Sequence, residues 1–505
     1  MTADTDSLRT VHPSSAIRTT SGISARDSRV IWLLLGAAFV VILNETIMNV
    51  AIPHLMVDLN ITALAAQWLT TAFMLTMAVV IPITGFLLQR FTTRQAFIGG
   101  MTLFSAGTLT AFVAPGFEVL LVARVIQASG TAIMMPLLMT TIMTLVPAHA
   151  RGRMMGRVSV VISVAPAIGP TLSGIILETL NWRWMFGLVL PIALVMLLIG
   201  AKWVTNVGET RKAPIDALSI VLSALGFGGI VYGLSQIGGA AAHGSGADAA
   251  ASAAAMSLWI SLSVGVVALA LFIWRQLRLQ RTDSALLDLR VFSSANFSIA
   301  MAQMFVLSLA FFGALTVLPI YLQNVVGVSP LETGLIVLPG ALIMGFTGPL
   351  IGRIYDRWGT RVLIIPGSIL AAAVLWFYST LTEFTPVWVI VAGQVLLSLG
   401  LAMSFTPLFT ASLGSLKKRF YSYGSAVVGT VQQVAGATGI AIFITVMSAV
   451  TAGAQSAGTA DIAAQAAGVR AAFLVGAIVS LLTVVGSFFV RKPADDPEGE
   501  QHFAH

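Results

Sequence analysis

Two ionisable residues lie where the chain is otherwise apolar. Glu45 sits inside Leu43-Asn-Glu-Thr-Ile-Met-Asn-Val-Ala-Ile-Pro53, and Arg124 inside Leu120-Leu-Val-Ala-Arg-Val-Ile-Gln-Ala-Ser-Gly130. Of 20 acidic residues only Glu45, and of 27 Lys and Arg only Arg124, falls well within an apolar run. Charge at bilayer depth costs a few kcal/mol, so such side chains face a cavity or one another. A carboxyl there feels two opposed influences: loss of water favours its protonated form, and a nearby guanidinium favours its ionised form. That balance suits a group that takes up and releases a proton. A static Glu45–Arg124 pair locking two helices, a glutamate lining a water-filled vestibule, and a substrate contact without coupling fit the same residues. Asn49 follows Glu45 by four positions and Gln127 follows Arg124 by three, so each shares a helical face with its charged neighbour and can orient it. Asn44 cannot titrate and is expected to pack or to supply a polar lining.

Other chemistries find no residues. The chain has no cysteine, and its six histidines are scattered, so thiolate sites, disulfides and metal-ligand pairs at helical spacing are excluded. There is no embedded Ser/His/Asp set and no nucleotide-binding Gly-rich loop after a strand. No enzyme, metal or cofactor is expected.

The elements that must hold Glu45 and Arg124 follow from composition. Of 505 residues 57% are hydrophobic and only 9% charged, against about 25% charged in a soluble domain. On a ruler of about 20 helical residues per bilayer core, the sequence divides into fourteen spans: 30–52, 66–88, 96–115, 118–146, 155–178, 184–205, 216–237, 256–276, 296–324, 331–352, 361–382, 386–415, 424–451 and 468–490. All Lys and Arg except Arg124, Arg183 and Arg470 fall on one side of this arrangement. Positive charge stays in the cytosol, so both termini are expected there, in a multi-pass protein of the cell membrane. The net charge of +7 is then topology, not a nucleic-acid footprint. Residues 1–29 read as a retained cytoplasmic tail, 491–505 as a second one. Glu45 lies about 22 Å along an outward-running first span, and Arg124 about 9 Å below the outer face in the fourth. Their depths agree.

A repeat is visible. Gly85-Phe-Leu-Leu-Gln-Arg90-Phe-Thr-Thr-Arg94 returns as Gly352-Arg-Ile-Tyr-Asp-Arg357-Trp-Gly-Thr-Arg361, and Arg124 with Gly130 returns as Gln394 with Gly400 at nearly the same offset. Two six-span halves, 30–205 and 291–490, are therefore expected around an inserted pair in 206–290, a 6+2+6 plan. The Ala/Gly-rich stretch Gly238–Ser257 reads as a solvated linker.

With these motifs in place the sequence resembles the major facilitator superfamily, in particular its fourteen-span drug:proton antiporters of the QacA/EmrB type. Leu43–Pro53 is similar to L-D-x-T-x-x-N-x-A-x-P, Arg124–Gly130 to R-x-x-Q-G-x-G, and Ala165-Pro-Ala-Ile-Gly169-Pro170-Thr-Leu-Ser-Gly174 to G-x-x-x-G-P-x-x-G-G. The likeness covers essentially residues 30–490. It departs from the family at Asn44, where the pattern has aspartate, and at Gln89 and Thr92 in the loop motif, which keeps its acid and glycine only in the second copy, Asp356 and Gly359.

The resemblance implies an all-α major facilitator fold with pseudo-symmetric halves, functioning as a monomer. It implies export of amphipathic small organic compounds by alternating access, driven by protons, with lipid as surroundings; the alternative is an exporter of one specific metabolite or lipid-like compound. It assigns Ala165, Gly169, Pro170 and Gly174 to the antiporter signature, a pliable, closely packed helix or else a plain kink. Gly85, Arg90, Arg94, Gly352, Asp356, Arg357, Gly359 and Arg361 form a cytoplasmic gate, or serve only topology. Gln432, Gln433 and Gln394 line the cavity or act as polar glue between helices. Trp182-Arg183-Trp184 is expected as an outer-interface anchor.

Overall fold

Long apolar runs rich in Ala, Leu and Val leave the backbone no water to bond, so each closes its own hydrogen bonds as a helix. In the computed structural model the order is α1 Ala25–Asp58, α2 Ala63–Arg90, α3 Thr93–Phe112, α4 Phe117–Leu145, α5 Arg151–Thr179, α6 Arg183–Trp203, α7 Ala217–Ala242, α8 Asp248–Leu279, α9 Ala295–Tyr321, α10 Pro330–Trp358, α11 Arg361–Tyr378, α12 Val387–Gly414, α13 Tyr421–Ser456 and α14 Asp461–Ser487. The structure describes residues 24–207, 210, 216–242 and 248–493, with the backbone alone at 49, 50, 53, 63, 64, 67, 170, 237–242 and 248–255. No strand occurs among the described residues.

Local signals set the helix ends. Thr92 with Gln95, and Ser329 with Glu332, form reciprocal capping boxes at the starts of α3 and α10. Gly359 ends α10 with φ +83°, a conformation a side chain would resist. Among the described residues thirteen helices are long and apolar enough to cross a membrane. The remaining one, α3, has Thr93, Arg94 and Gln95 in its first turn and threonines and glycines along its length. It still packs between α4 and α6 and buries Phe97, Met101 and Phe104.

Helix pairings reveal the two halves. Contacts α1·α4, α1·α5, α1·α6, α2·α4, α3·α4 and α3·α6 recur as α9·α12, α9·α13, α9·α14, α10·α12, α11·α12 and α11·α14, each helix number raised by eight. The halves meet along two seams, α5 on α10 and α2 on α13. The inserted pair α7/α8 packs beside the second seam, with α7 touching both α2 and α13 and Tyr232 stacked on Trp68. The bundle is a multi-pass membrane architecture. One end, where odd-numbered helices begin, gathers Arg151, Arg153, Arg157, Arg290, Lys417, Lys418 and Arg419 and is called here the basic end.

At that end Asp216 receives Arg275 at 2.7 and 2.8 Å, and Ser219 also donates to it. The Arg275 hydrogen bonds hold its carboxyl below the usual range. Gln276 donates to Ser219 and accepts from the amides of Leu286 and Leu287, tying the hairpin to the segment leading into α9. There Arg290 binds Asp288 and Asp283, and these bonds push its pKa above the ordinary arginine value.

Two expectations are corrected. Most of Gly238–Ser257 is not a linker: α7 continues to Ala242 and α8 starts at Asp248, because alanine is the strongest helix former. Residues 243–247 lie outside the described residues. Trp182 is not an interface anchor but is fully buried, with Arg183 stacked 4.4 Å over its ring and bonded to the Ala114 carbonyl; Trp184 is the exposed one.

Candidate functional site

The centre of the first half is a chain of neutral hydrogen bonds ending on a buried cation. Arg124, 1% exposed, donates through Nη1 to Gln127 Oε1 at 2.7 Å and through Nε to the Leu69 carbonyl of α2 at 3.4 Å. Its guanidinium also lies 4.0 Å over the Phe73 ring, a cation–π contact strengthened by the absence of water. Gln127 Nε2 donates to Asn44 Oδ1 of α1 at 3.0 Å and to Thr108 Oγ1 of α3 at 2.8 Å. Four helices are thus joined around one amide. Asn44 is buried, and its Nδ2 has no partner among the described residues.

Glu45 is not part of this chain. Successive helical residues are turned by about 100°, so the carboxylate leaves the face that Asn44 presents to α4. It makes no hydrogen bond or ion pair with the described residues, and Arg124 acts on it through space. From Leu33 to Met48 no residue of α1 is exposed, since α2, α4, α5 and α6 surround the helix. Along this enclosed stretch Phe39, Ile42 and Glu45, spaced three apart, remain half-buried. These three side chains keep partial exposure although four helices pack around α1. The side chain of Asn49 lies outside the described residues.

On α5, Ala165 is fully buried and Gly169 lets α1 approach: a Cβ at Gly169 would come 3.0 Å from Thr46 Cβ. Gly174 has open space around it, and the side chain of Pro170 lies outside the described residues. In the second half Gln432 and Gln433 are half-buried and make no hydrogen bond among the described residues; Gln394 packs against Gly340. The aromatic rings of Phe311, Phe312 and Phe405 lie on neighbouring turns of α9 and α12.

The seams close at the basic end. Asp356, in the last turn of α10, accepts from the amides of Gly152 and Arg153 in the first turn of α5, at 2.7 and 2.8 Å. These are the free N–H groups of a helix start, where an anion is best placed. Below this cap Gly152 and Gly156 of α5 meet Gly348 and Gly352 of α10. A Cβ at Gly156 would lie 2.6 Å from the Gly348 carbonyl carbon, and one at Gly352 2.6 Å from that of Gly152. Ser159 bonds Thr406 at 2.7 Å, Thr140 bonds Ser425 at 3.1 Å, and Arg151 reaches the Tyr421 hydroxyl at 3.2 Å. In the α2/α13 seam Gly85 adjoins Tyr423 and Ala426, and Gln89 donates to the Arg419 carbonyl at 2.8 Å.

Sequence reasoning named Asp356, Gly85 and Gly352 at this closure but missed Gly152, Gly156, Gly348 and the hydroxyl pairs. Two Gly-x-x-x-Gly spacings, Gly152/Gly156 and Gly348/Gly352, were the available signal. Arg94, Arg357 and Arg361 are exposed, and Arg90 is half-buried.

The arrangement matches known proteins. The family model described as the Major Facilitator Superfamily matches residues 34–440. The chain is 43% identical over 468 residues to the uncharacterized MFS-type transporter YcnB of Bacillus subtilis (strain 168), covering 92% of this chain and 95% of that one. It is 38% identical over 478 residues to the lincomycin resistance protein LmrB of Listeria monocytogenes, covering 94% and 98%. The solved structure of the human organic anion transporter MFSD10 shares the fold at a TM-score of 0.64 and 14% identity, covering 92% of this chain and 100% of that one. A fourteen-helix bundle with recurrent pairings, matched by this family along most of its length, is a transporter: the chain belongs to the major facilitator superfamily.

Proposed function

We propose that the protein exports amphipathic small organic compounds across the cell membrane in exchange for protons, with Glu45 as the proton carrier. The observation that carries this reading is a carboxylate with no bonded partner among the described residues, half-buried on a helix that four others surround. The relatives named lincomycin resistance proteins support export as the direction and make lincomycin the first compound to test.

In this reading the basic end is cytoplasmic, both termini lie there, and the state described here is closed to the cytosol. The halves are 30–205 and 291–490, with the hairpin of 206–290 riding beside the α2/α13 seam, and one chain suffices for transport. Glu45 faces the outside-connected space and takes a proton from the more acidic side. Its charge lost, the attraction to Arg124 ends, and the halves rock until the space opens inward. The proton then leaves to the cytosol, the carboxylate reforms, and a substrate enters along Phe39, Ile42 and the wall carrying Gln432 and Gln433. Substrate and proton need only oppose each other's occupancy. The neutral Asn44–Gln127–Thr108 network keeps Arg124 in place through both protonation states.

The test is substrate-driven proton movement in proteoliposomes. Glu45→Gln should still bind and exchange substrate but move no protons, and its transport should lose its pH dependence. A Glu45→Gln protein that couples fully would refute the assignment.

A further inference from the structure

After α14 the chain does not leave the bundle. Val490 is fully buried. Arg491 donates its amide to Asn296 Oδ1 at 2.9 Å and accepts at its carbonyl from Asn296 Nδ2 at 2.9 Å, so one side-chain amide grips the backbone from both sides. The same Nδ2 reaches the Ala411 carbonyl of α12 at 3.4 Å. Lys492 then lays its stem over Gly359, 3.6 Å from where a Cβ would be, and donates Nζ to the Asp356 carbonyl at 2.9 Å. Pro493 rests near Gly414, at the end of α12. Residues 488–493 are therefore a strap that joins the start of α9 to the ends of α10 and α12.

Asp356 is thereby held from two directions. Its carboxylate caps α5 in the other half, and its carbonyl, one of the unpaired carbonyls of a helix end, is capped by Lys492. A cation at a helix C-terminus is favourable in its own right. Here it also fixes the turn from which the carboxylate must project. The first half has a related segment after α6, where Val204 is buried and Val207 pairs with Thr93.

We infer that the strap after α14 is a working part of the cytoplasmic gate, with Asn296 and Lys492 as positioning residues that act on transport through Asp356. The inference rests on the alternating-access reading above. Lys492 is exposed.

The chain's lack of cysteine makes the experiment direct. Ser425→Cys places a thiol at a position buried in the closed seam, and a membrane-impermeant maleimide applied to inside-out vesicles reads its exposure. On that background Lys492→Gln should speed labelling about two- to fivefold, the size of one helix-end charge contact, and Lys492→Arg should restore the parent rate. Asn296→Ala should act in the same direction and more strongly. In transport assays Lys492→Gln should change turnover while leaving the KM for lincomycin unchanged, a split that loss of folded protein would not produce. Labelling and turnover equal to the parent in Lys492→Gln would overturn the strap's role. Asp356→Asn separates the two ideas: faster labelling there without an effect of Lys492→Gln refutes the strap alone, and no effect in either refutes the gate itself.

Discussion

Adding one methyl group at the α5/α10 crossing should reverse the conformational preference of the whole molecule. In Gly156→Ala the new Cβ would stand 2.6 Å from the Gly348 carbonyl carbon and 2.9 Å from the Pro349 Cα, where ordinary contact needs at least 3.4 Å. Both obstacles are backbone, so no side chain can swing aside. The Gly348 carbonyl oxygen lies closer still, so the helices must part by more than about 0.8 Å locally, and overpacking of this kind costs about 1–3 kcal/mol. In the proposed alternating-access cycle the two glycine pairs part when the basic end opens, so the cost falls on the closed state alone. An energy of about 1–3 kcal/mol shifts a two-state equilibrium by about 5- to 150-fold. Maleimide labelling of Ser425→Cys in inside-out vesicles should accelerate by that factor in Gly156→Ala and in Gly348→Ala. Gly174→Ala, on the same helix but with open space around it, should label like the parent. Unchanged labelling in both gate variants, or equal acceleration in Gly174→Ala, would show that the crossing does not control access.

Removing the central amide in Gln127→Ala should strand Arg124 Nη1 and Asn44 Oδ1 at once, while Thr108 keeps its bond to the Phe104 carbonyl; at about 1–3 kcal/mol for an unsatisfied buried group, a clear fall in the thermal unfolding midpoint of the detergent-solubilised protein should follow, larger than that of Thr108→Ala. The α7/α8 clasp should be pH-dependent only in acid: Asp216 is held below its ordinary value, so its contribution is complete above about pH 4 and disappears as the pH falls through the lowered folded value. Asp216→Asn should abolish that acid step in hydrogen exchange of the amides of Leu286 and Leu287, at a cost at neutral pH of under about 1 kcal/mol. A step that persists in Asp216→Asn would assign it to another group.

Helix number and placement were legible because hydropathy and capping act locally. Observed starts such as Ala63, Phe117 and Arg183 fall within three residues of the sequence reading. Where helices ran long, at α7, α8, α13 and α14, alanine-rich polar stretches looked like loops but continued the helix. The embedded residues were equally legible, since a charge in an apolar run needs no structure to be noticed. Their mutual geometry was not. Depth along the membrane placed Glu45 and Arg124 at one level, yet the angle around each helix decides contact, and that angle depends on how α1 packs among four neighbours. The closure at the basic end divides in the same way. Asp356 stood out as an acid in a motif, whereas its partners are backbone amides, which carry no residue identity to read.

If Glu45 carries the proton as proposed, the single-residue shift between Asn44 and Glu45 explains how a buried arginine can serve it. A carboxylate at position 44 would lie in the buried network beside Gln127, and breaking a buried ion pair by neutralising one member costs about 3–5 kcal/mol. The amide at Asn44 avoids that cost, because Arg124 is satisfied by the Gln127 and Leu69 oxygens and the Phe73 ring whatever the state of Glu45. Turned about 100° away, Glu45 keeps the field of the guanidinium without a bond to it. In the proposed cycle, protonation of Glu45 changes the energy of the site by the through-space attraction alone, small enough to be reversed each time and large enough to bias the halves. Exchanging the two residues, in the double variant Asn44→Glu with Glu45→Asn, should preserve the composition of the site and abolish coupling, because the carboxylate would be bonded into the core. Proton movement at the parent rate in that variant would mean that the position of the carboxyl does not matter, and the division of roles between these neighbours would fall.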